Sequence, residues 1–165
     1  GFSKNEILFV DGTKLESDLI VFIAGGAGHP VLQNSELPLS EAGFVKTLPT
    51  CQVEGFPDIY VIGDSADLIG PPWAAKQGHI AEIMADVAAY NAHQQIIGSG
   101  KTKSYVEKVN IVCVMDSGDG AAFVSRNTKK ETMLMLPIVG HWLKKAWGFY
   151  YKNSKLKRIP RIPGM

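Results

Sequence analysis

Gly55-Phe56-Pro57-Asp58-Ile59-Tyr60-Val61-Ile62-Gly63-Asp64, running on into Ser65-Ala66-Asp67, is the stretch on which the fold turns. Ile59-Tyr60-Val61-Ile62 reads as a buried strand, and Gly63 closes it. Glycine lets another backbone or a ligand approach closely. Asp64 then stands at the strand's C-terminal edge, where open α/β sheets bind their ligands. A carboxylate there can accept hydrogen bonds from the hydroxyl groups of a bound molecule. The plain alternative is an ordinary strand ending in a Gly-Asp turn.

Gly43-Phe44-Val45-Lys46 lies some 15 residues before this strand, and Pro71-Pro72 lies after it. The prolines lead into the longest helical pattern in the chain. Ile80, Ile83, Met84, Val87 and Ala88 recur at helical spacing, which predicts a helix from about Trp73 or Ala74 with Gly98 as its stop. On the N-terminal side, Ile7-Leu8-Phe9-Val10, the turn Asp11-Gly12 and the apolar run 18–24 predict a strand, a turn and a buried parallel strand. Gly25-Gly26-Ala27-Gly28-His29-Pro30 ends that run. Its spacing fails the GxGxxG fingerprint at Val31, and no helical pattern follows. Farther on, 109–115 and 121–125 predict a hairpin around Ser117-Gly118-Asp119-Gly120. A polar turn at 126–131 precedes an amphipathic segment from about Leu136, which gives way to a tail that Pro160 and Pro163 keep from being helical.

The 165 residues fit one ordinary domain or two small ones, and 45% apolar with 20% charged residues is a globular composition. No apolar run is long enough to cross a membrane as a helix. The start lacks the layout of a signal peptide. Two cysteines, Cys51 and Cys113, make neither a disulfide framework nor a zinc site, so no metal is expected. The net charge of +1 hides an asymmetry: residues 1–140 carry 10 Lys/Arg and 16 Asp/Glu, whereas residues 141–165 carry seven Lys/Arg and no carboxylate. That tail interleaves its cations with Trp142, Trp147, Phe149, Tyr150 and Tyr151, a pattern suited to an anionic membrane surface. Its plain alternative is a helix covering the core with a solvated basic edge. Nothing else in the chain supports nucleic-acid binding.

The Gly55–Asp64 string, with Gly43-Phe44-Val45-Lys46 before it and the proline-led helix after it, resembles the second FAD-binding motif of two-dinucleotide-domain flavoproteins. The resemblance implies an α/β, Rossmann-like fragment ending in a hairpin and an amphipathic helix region. It divides the chain into the end of a second nucleotide-type domain (1–30), the C-terminal part of an FAD-binding domain (31–105) and a cysteine hairpin with a membrane- and quinone-facing region (106–165). It implies that Gly63 and Asp64 hold the ribityl side of FAD. It also places Lys76 and Gln77 at the helix start that faces the flavin ring, where helix-dipole and N–H groups favour negative charge. A GxGxxG turn for the pyrophosphate does not occur, so the chain is expected to begin inside a longer enzyme and to be inactive alone.

The run from Val109 to Val124 is similar to the C-terminal cysteine hairpin of sulfide:quinone oxidoreductases: a cysteine, an acidic-glycine turn, then a small-aromatic-aliphatic return strand. Gly140-His141-Trp142-Leu143-Lys144-Lys145-Ala146-Trp147 is similar to that family's closing helices. The likeness covers about residues 18–160. It implies that Cys113 is one of a pair of redox cysteines, that Phe149 or Tyr150 packs on the quinone, and that the parent is a peripheral membrane enzyme oxidising sulfide, with homo-oligomers compatible. The plain alternative for Cys113 is an inert strand residue. Cys51 matches no cysteine of the family. Three other readings stay open: a flavocytochrome c-type sulfide dehydrogenase, a type II NADH:quinone oxidoreductase, and a non-catalytic half-site.

Overall fold

The computed structural model describes residues 1–118 and 120–160. Seven strands, two α-helices and three short 3-10 helices are present among them. Strands β1 (Glu6–Leu8) and β2 (Lys14–Glu16) form an antiparallel hairpin with Ile7 opposite Leu15. Asp11 Oδ1 accepts the Thr13 N–H at 2.9 Å and Gly12 adopts φ 86°, so the Asp-Gly turn forms as predicted. Strands β3 (Gln52–Val53) and β4 (Phe56–Tyr60) make a second antiparallel pair. Strands β5 (Ile111–Asp116), β6 (Ala121–Arg126) and β7 (Glu131–Met135) form a three-stranded antiparallel meander.

Two strand expectations are corrected. The apolar run 18–24 is in no strand, and Leu19, Val21, Phe22 and Ile23 stand exposed. A buried parallel strand exists only between neighbours on both sides, and none of the described strands reaches this run. The strand before Gly63 is β4; its partner is the short β3 and its other edge is open, so Ile59 and Ile62 remain exposed. The parallel contact that does form is the single bridge Val45↔Ala66. The Val45 N–H donates to the Ser65 carbonyl at 2.9 Å and the Asp67 N–H to the Val45 carbonyl at 2.7 Å. Gly43–Lys46 and Gly63–Asp67, paired by resemblance in the sequence, are thus hydrogen-bonded side by side.

Helix α1 (Gly78–Ile96) buries Ile80, Met84, Val87, Ala88 and Asn91 along one stripe. Together with Cys51, Ala66, Tyr105 and Val109, its apolar members form the core. Tyr105 is fully buried and its hydroxyl accepts the Ile69 N–H at 2.8 Å. Asn91 donates to the carbonyls of Thr50 and Lys103 and accepts the Lys103 N–H, fastening the segment after α1 back onto it. The helix begins several residues later than predicted. Residues 71–74 close a turn, Ala74 N–H to Pro71 carbonyl at 2.8 Å, and the first helical bond is Ala81 N–H to Gln77 carbonyl. Its end matches expectation: Gly98 at φ 66° donates to Gln95, and Ser99 to Gln94, the paired bonds of a Schellman cap.

The hairpin β5–β6 forms in the expected place, with Cys113 opposite Val124 and Asp116 opposite Ala121; residue 119 of its turn lies outside the described residues. The predicted polar turn shortens to 127–130, because Glu131–Met135 pairs as β7. Helix α2 (Val139–Lys155) packs on this sheet, and Gly140 permits the approach: a Cβ there would lie 2.6 Å from the Ala121 Cβ. It stops in a second Schellman cap, with Lys157 left-handed at φ 57° and Arg158 donating to Asn153. Arg161 and Pro163 lie outside the described residues.

Candidate functional site

Gly63 and Asp64 open a short 3-10 turn just past β4, and Gly63 adopts φ 63°. A side chain at Gly63 would lie 3.3 Å from the Ala81 Cβ in the first turn of α1, so the strand end and the helix start are in close contact. The Lys76 ammonium reaches back over this junction. It donates to the Asp64 carbonyl at 3.1 Å and to the Ala66 carbonyl, and lies 3.9 Å over the Phe44 ring. Burial pulls its pKa below the usual lysine value, against the opposing pull of Asp64 and Asp67. Lys76 is therefore a strut tying the two motif segments together at the helix entrance. The backbone of Gln77, extended at φ −144° and ψ 150°, is where the helix begins.

Gly63, Asp64, Lys76, Gln77, Ile80 and Ala81 line one shallow, open depression. The four residues singled out from the sequence as cofactor ligands are all on its wall. The Asp64 side chain is exposed, and its carboxylate accepts no hydrogen bond among the described residues. No side chain caps α1, so the N–H groups of its first turn stand open at the positive end of the helix dipole. These features fit one edge of a polyhydroxylated, anionic cofactor such as FAD: an acceptor for hydroxyls and donors for negative charge.

Cys113 is an exposed free thiol on β5. Two contacts tie its sheet to the segment at the start of α1. His79 Nε2, in the first turn of α1, lies 3.0 Å from Asn110 Oδ1, and Arg126 lies 5.2 Å over the Trp73 ring. At about 3.3 Å per strand residue, Cys113 is on the order of 10 Å from the His79 contact. Cys51 differs in every respect. It is fully buried, it adopts φ 68°, its thiol donates to the Met84 carbonyl at 3.6 Å, and burial pushes its pKa up to about 11.

Helix α2 is fastened to the body by polar contacts. His141 Nδ1 lies 2.7 Å from Asp116 Oδ2, Lys144 donates to the Val114 carbonyl at 2.8 Å, and Lys155 pairs with Glu82. Asp116 is held below the usual carboxylate range, first by the Gly118 N–H and then by His141. Two of the seven tail cations, Lys144 and Lys155, therefore turn inward. Val139, Trp142, Leu143 and Phe149 point the other way, Trp142 and Phe149 being 66% and 69% exposed. Tyr150 is half-buried, its ring centroid 5.4 Å from that of Trp147. Because Asp116 and Ala121 meet α2 and side chains alternate along a strand, Cys113 lies on the opposite face of the sheet from Phe149 and Tyr150. Sequence reasoning missed β7, the Arg126–Trp73 stack and the His141–Asp116 pair. The last two join residues far apart in the chain and leave no local signal.

No protein-family model matches the chain. It is 34% identical over 104 residues to Fe-regulated protein 8 of Mycosarcoma maydis, a match that covers 63% of this chain and 25% of that protein. It is 35% identical over 72 residues to the type II NADH:quinone oxidoreductase Ndh of Mycobacterium tuberculosis, covering 40% of this chain and 16% of that protein. The chain thus spans a quarter or less of the curated relatives it matches. Its fold is shared with the crystal structure of the sulfide:quinone oxidoreductase from the hyperthermophilic bacterium Aquifex aeolicus. The TM-score is 0.78 at 17% identity, over 93% of this chain and 39% of that one.

Proposed function

We propose that the chain is the C-terminal part of an FAD-dependent oxidoreductase that oxidises sulfide at Cys113 and reduces a quinone at a membrane surface. The observation that supports this reading is an exposed thiol on β5, three residues beyond Asn110, which meets His79 in the first turn of α1, the turn whose N–H groups no side chain caps. Bound FAD would supply the two-electron carrier between sulfide and quinone. Asp64 accepts hydrogen bonds from the ribityl hydroxyls, and Gly63 lets the backbone come close. The first turn of α1 favours negative charge on the ring edge, and Lys76 and Gln77 position that turn. Cys113 holds the sulfur, a thiolate being the reactive form. Phe149 or Tyr150 stacks on the quinone from the opposite face of the sheet, so the water-borne donor and the oily acceptor approach from different sides.

The fold shared with the Aquifex aeolicus enzyme supports this reading. The match to the Mycobacterium tuberculosis protein favours a second one, NADH:quinone oxidoreduction, which has no use for Cys113. The outward apolar face of α2 weighs against a flavocytochrome c-type dehydrogenase, which needs no membrane contact. Residues 1–165 alone are expected to purify without flavin absorbance and to bind added FAD only weakly, since the depression by Asp64 is shallow and open and the chain has no GxGxxG turn. Absorbance spectra and an FAD titration followed by flavin fluorescence check this; stoichiometric, tight FAD would show that these residues hold the whole site.

A further inference from the structure

The chain is fixed in place before it enters β5. Tyr105 is fully buried with its hydroxyl on the Ile69 N–H, a 3-10 turn at Val106–Lys108 follows, and Val109 returns to the core. Asn110, the residue before β5, is half-buried and held from two sides. Its Nδ2 donates to the Lys108 carbonyl at 3.0 Å, which leaves Oδ1 toward α1, 3.0 Å from His79 Nε2. An amide oxygen only accepts, so His79 Nε2 is the donor, and the imidazole can keep that hydrogen whether it is neutral or charged. The other ties between the meander, with its helix α2, and the α1 region are less directional. Arg126 lies 5.2 Å over the Trp73 ring, and Lys155 of α2 reaches Glu82 on a long flexible stem.

We propose that His79 is a positioning residue for sulfide oxidation: through Asn110 it fixes where β5, and with it the Cys113 sulfur, stands relative to the start of α1. The inference rests on the proposed function, in which Cys113 is the sulfide-oxidising thiol and the start of α1 faces the flavin. Cys113 lies three residues beyond the pinned amide, a lever on the order of 10 Å, so a tilt of about 6° at Asn110 carries the sulfur ~1 Å. A displacement of about 1 Å between reacting groups can cost on the order of 100-fold in rate. Replacing the imidazole by an apolar side chain removes the donor and leaves the half-buried Asn110 oxygen unpaired, so the root of the strand is free to shift. The role is mechanical. A glutamine, which donates an N–H and exchanges no proton, can take it over, whereas it could not replace an acid or a base.

The test is stopped-flow reduction of the flavin in the full-length holoenzyme over a range of sulfide concentrations. His79→Leu and Asn110→Ala are each expected to lower the limiting rate on the order of 10- to 100-fold, with the half-saturating sulfide within about twofold. The double variant is expected to fall no further, since both changes remove the same bond. His79→Gln is expected to recover the limiting rate to within about threefold of the unsubstituted enzyme. Partial unfolding would lower the amplitude instead of the limiting rate. Hydrogen exchange of the 109–115 peptide reads the pin without sulfide: its protection is expected to fall in the Leu and Ala variants and to hold in the Gln variant. Should His79→Leu fail to fold, Asn110→Ala set against His79→Gln gives the same comparison. A limiting rate within about twofold of the unsubstituted enzyme in both His79→Leu and Asn110→Ala would overturn the positioning role. So would a His79→Gln variant as slow as His79→Leu, which would give the imidazole a proton-transfer role instead. Either result leaves the reading of Cys113 standing. If sulfide does not reduce the flavin of the unsubstituted enzyme, that reading falls and the role of His79 with it.

Discussion

Replacing Cys113 by Ala in the full-length enzyme is expected to lower sulfide-driven flavin reduction by at least about 10³-fold, the scale on which a covalent nucleophile's loss is felt. The thiol is exposed on its strand, so the substitution removes the sulfur and little packing; the melting temperature should hardly move. Cys51→Ser is the matched control. A serine hydroxyl can donate to the Met84 carbonyl as the thiol does, and sulfide turnover should stay near the starting value. Stopped-flow reduction with sulfide and with NADH separates the two readings of the chain. Normal sulfide turnover in the Cys113 variant would sink the assignment, and rapid NADH-driven reduction in both variants would favour NADH:quinone chemistry.

The second large effect concerns α2. Changing Trp142 and Phe149 together to Ala should weaken binding to anionic vesicles by on the order of 100-fold, since a large apolar side chain moved out of water is worth about 1.5–3 kcal/mol. Salt should matter less than the seven tail cations suggest. Lys144 and Lys155 turn to the protein, and each cation still near the surface contributes on the order of 1 kcal/mol. Raising salt from 0.1 to 1 M shortens the Debye length from ~10 to ~3 Å and removes the electrostatic share only. Co-sedimentation with vesicles at several salt concentrations measures both shares. A double variant that binds like the unsubstituted protein would show that another surface meets the membrane.

How far the sequence could be read depended on whether a signal was local. The stripe Ile80–Met84–Val87–Ala88, the Gly98 stop, the Asp11-Gly12 turn and the cysteine hairpin are all written within a few residues, and each formed where expected. Residues 18–24 were misread because a continuous apolar run says that a segment wants burial, not that a neighbour is there to bury it. The late start of α1 was invisible because the turn closed by Pro71 and Ala74 and the extended Gln77 precede it, and the helical spacing of its apolar residues does not mark that boundary. Strand β7 was missed because Glu131-Thr132-Met133-Leu134-Met135 alternates too weakly to announce a strand. Of the candidate site, Gly63, Asp64, Lys76 and Gln77 share one wall, a grouping the motif suggested, while the separation of Cys113 from Phe149 and Tyr150 by a sheet came only from the register.

The contrast between the two thiols lends the molecule a clock. Cys113 meets any alkylating reagent at once, whereas Cys51 sits wholly within the core with its thiol proton held to about 11. Cys51 can be labelled only while the packing of α1 over β3 and β4 is briefly undone, so its slow phase times those openings and the fast phase of Cys113 calibrates the reagent. The raised value also gives the clock a pH dependence. Below the ordinary thiol value of 9.0 both the folded and the opened protein keep the proton. Between 9.0 and about 11 only the opened protein releases it, so stability falls across that window and the slow phase quickens. Mass spectrometry of the two cysteine peptides over time would read the breathing of this core in one tube, without a fluorophore or a denaturant.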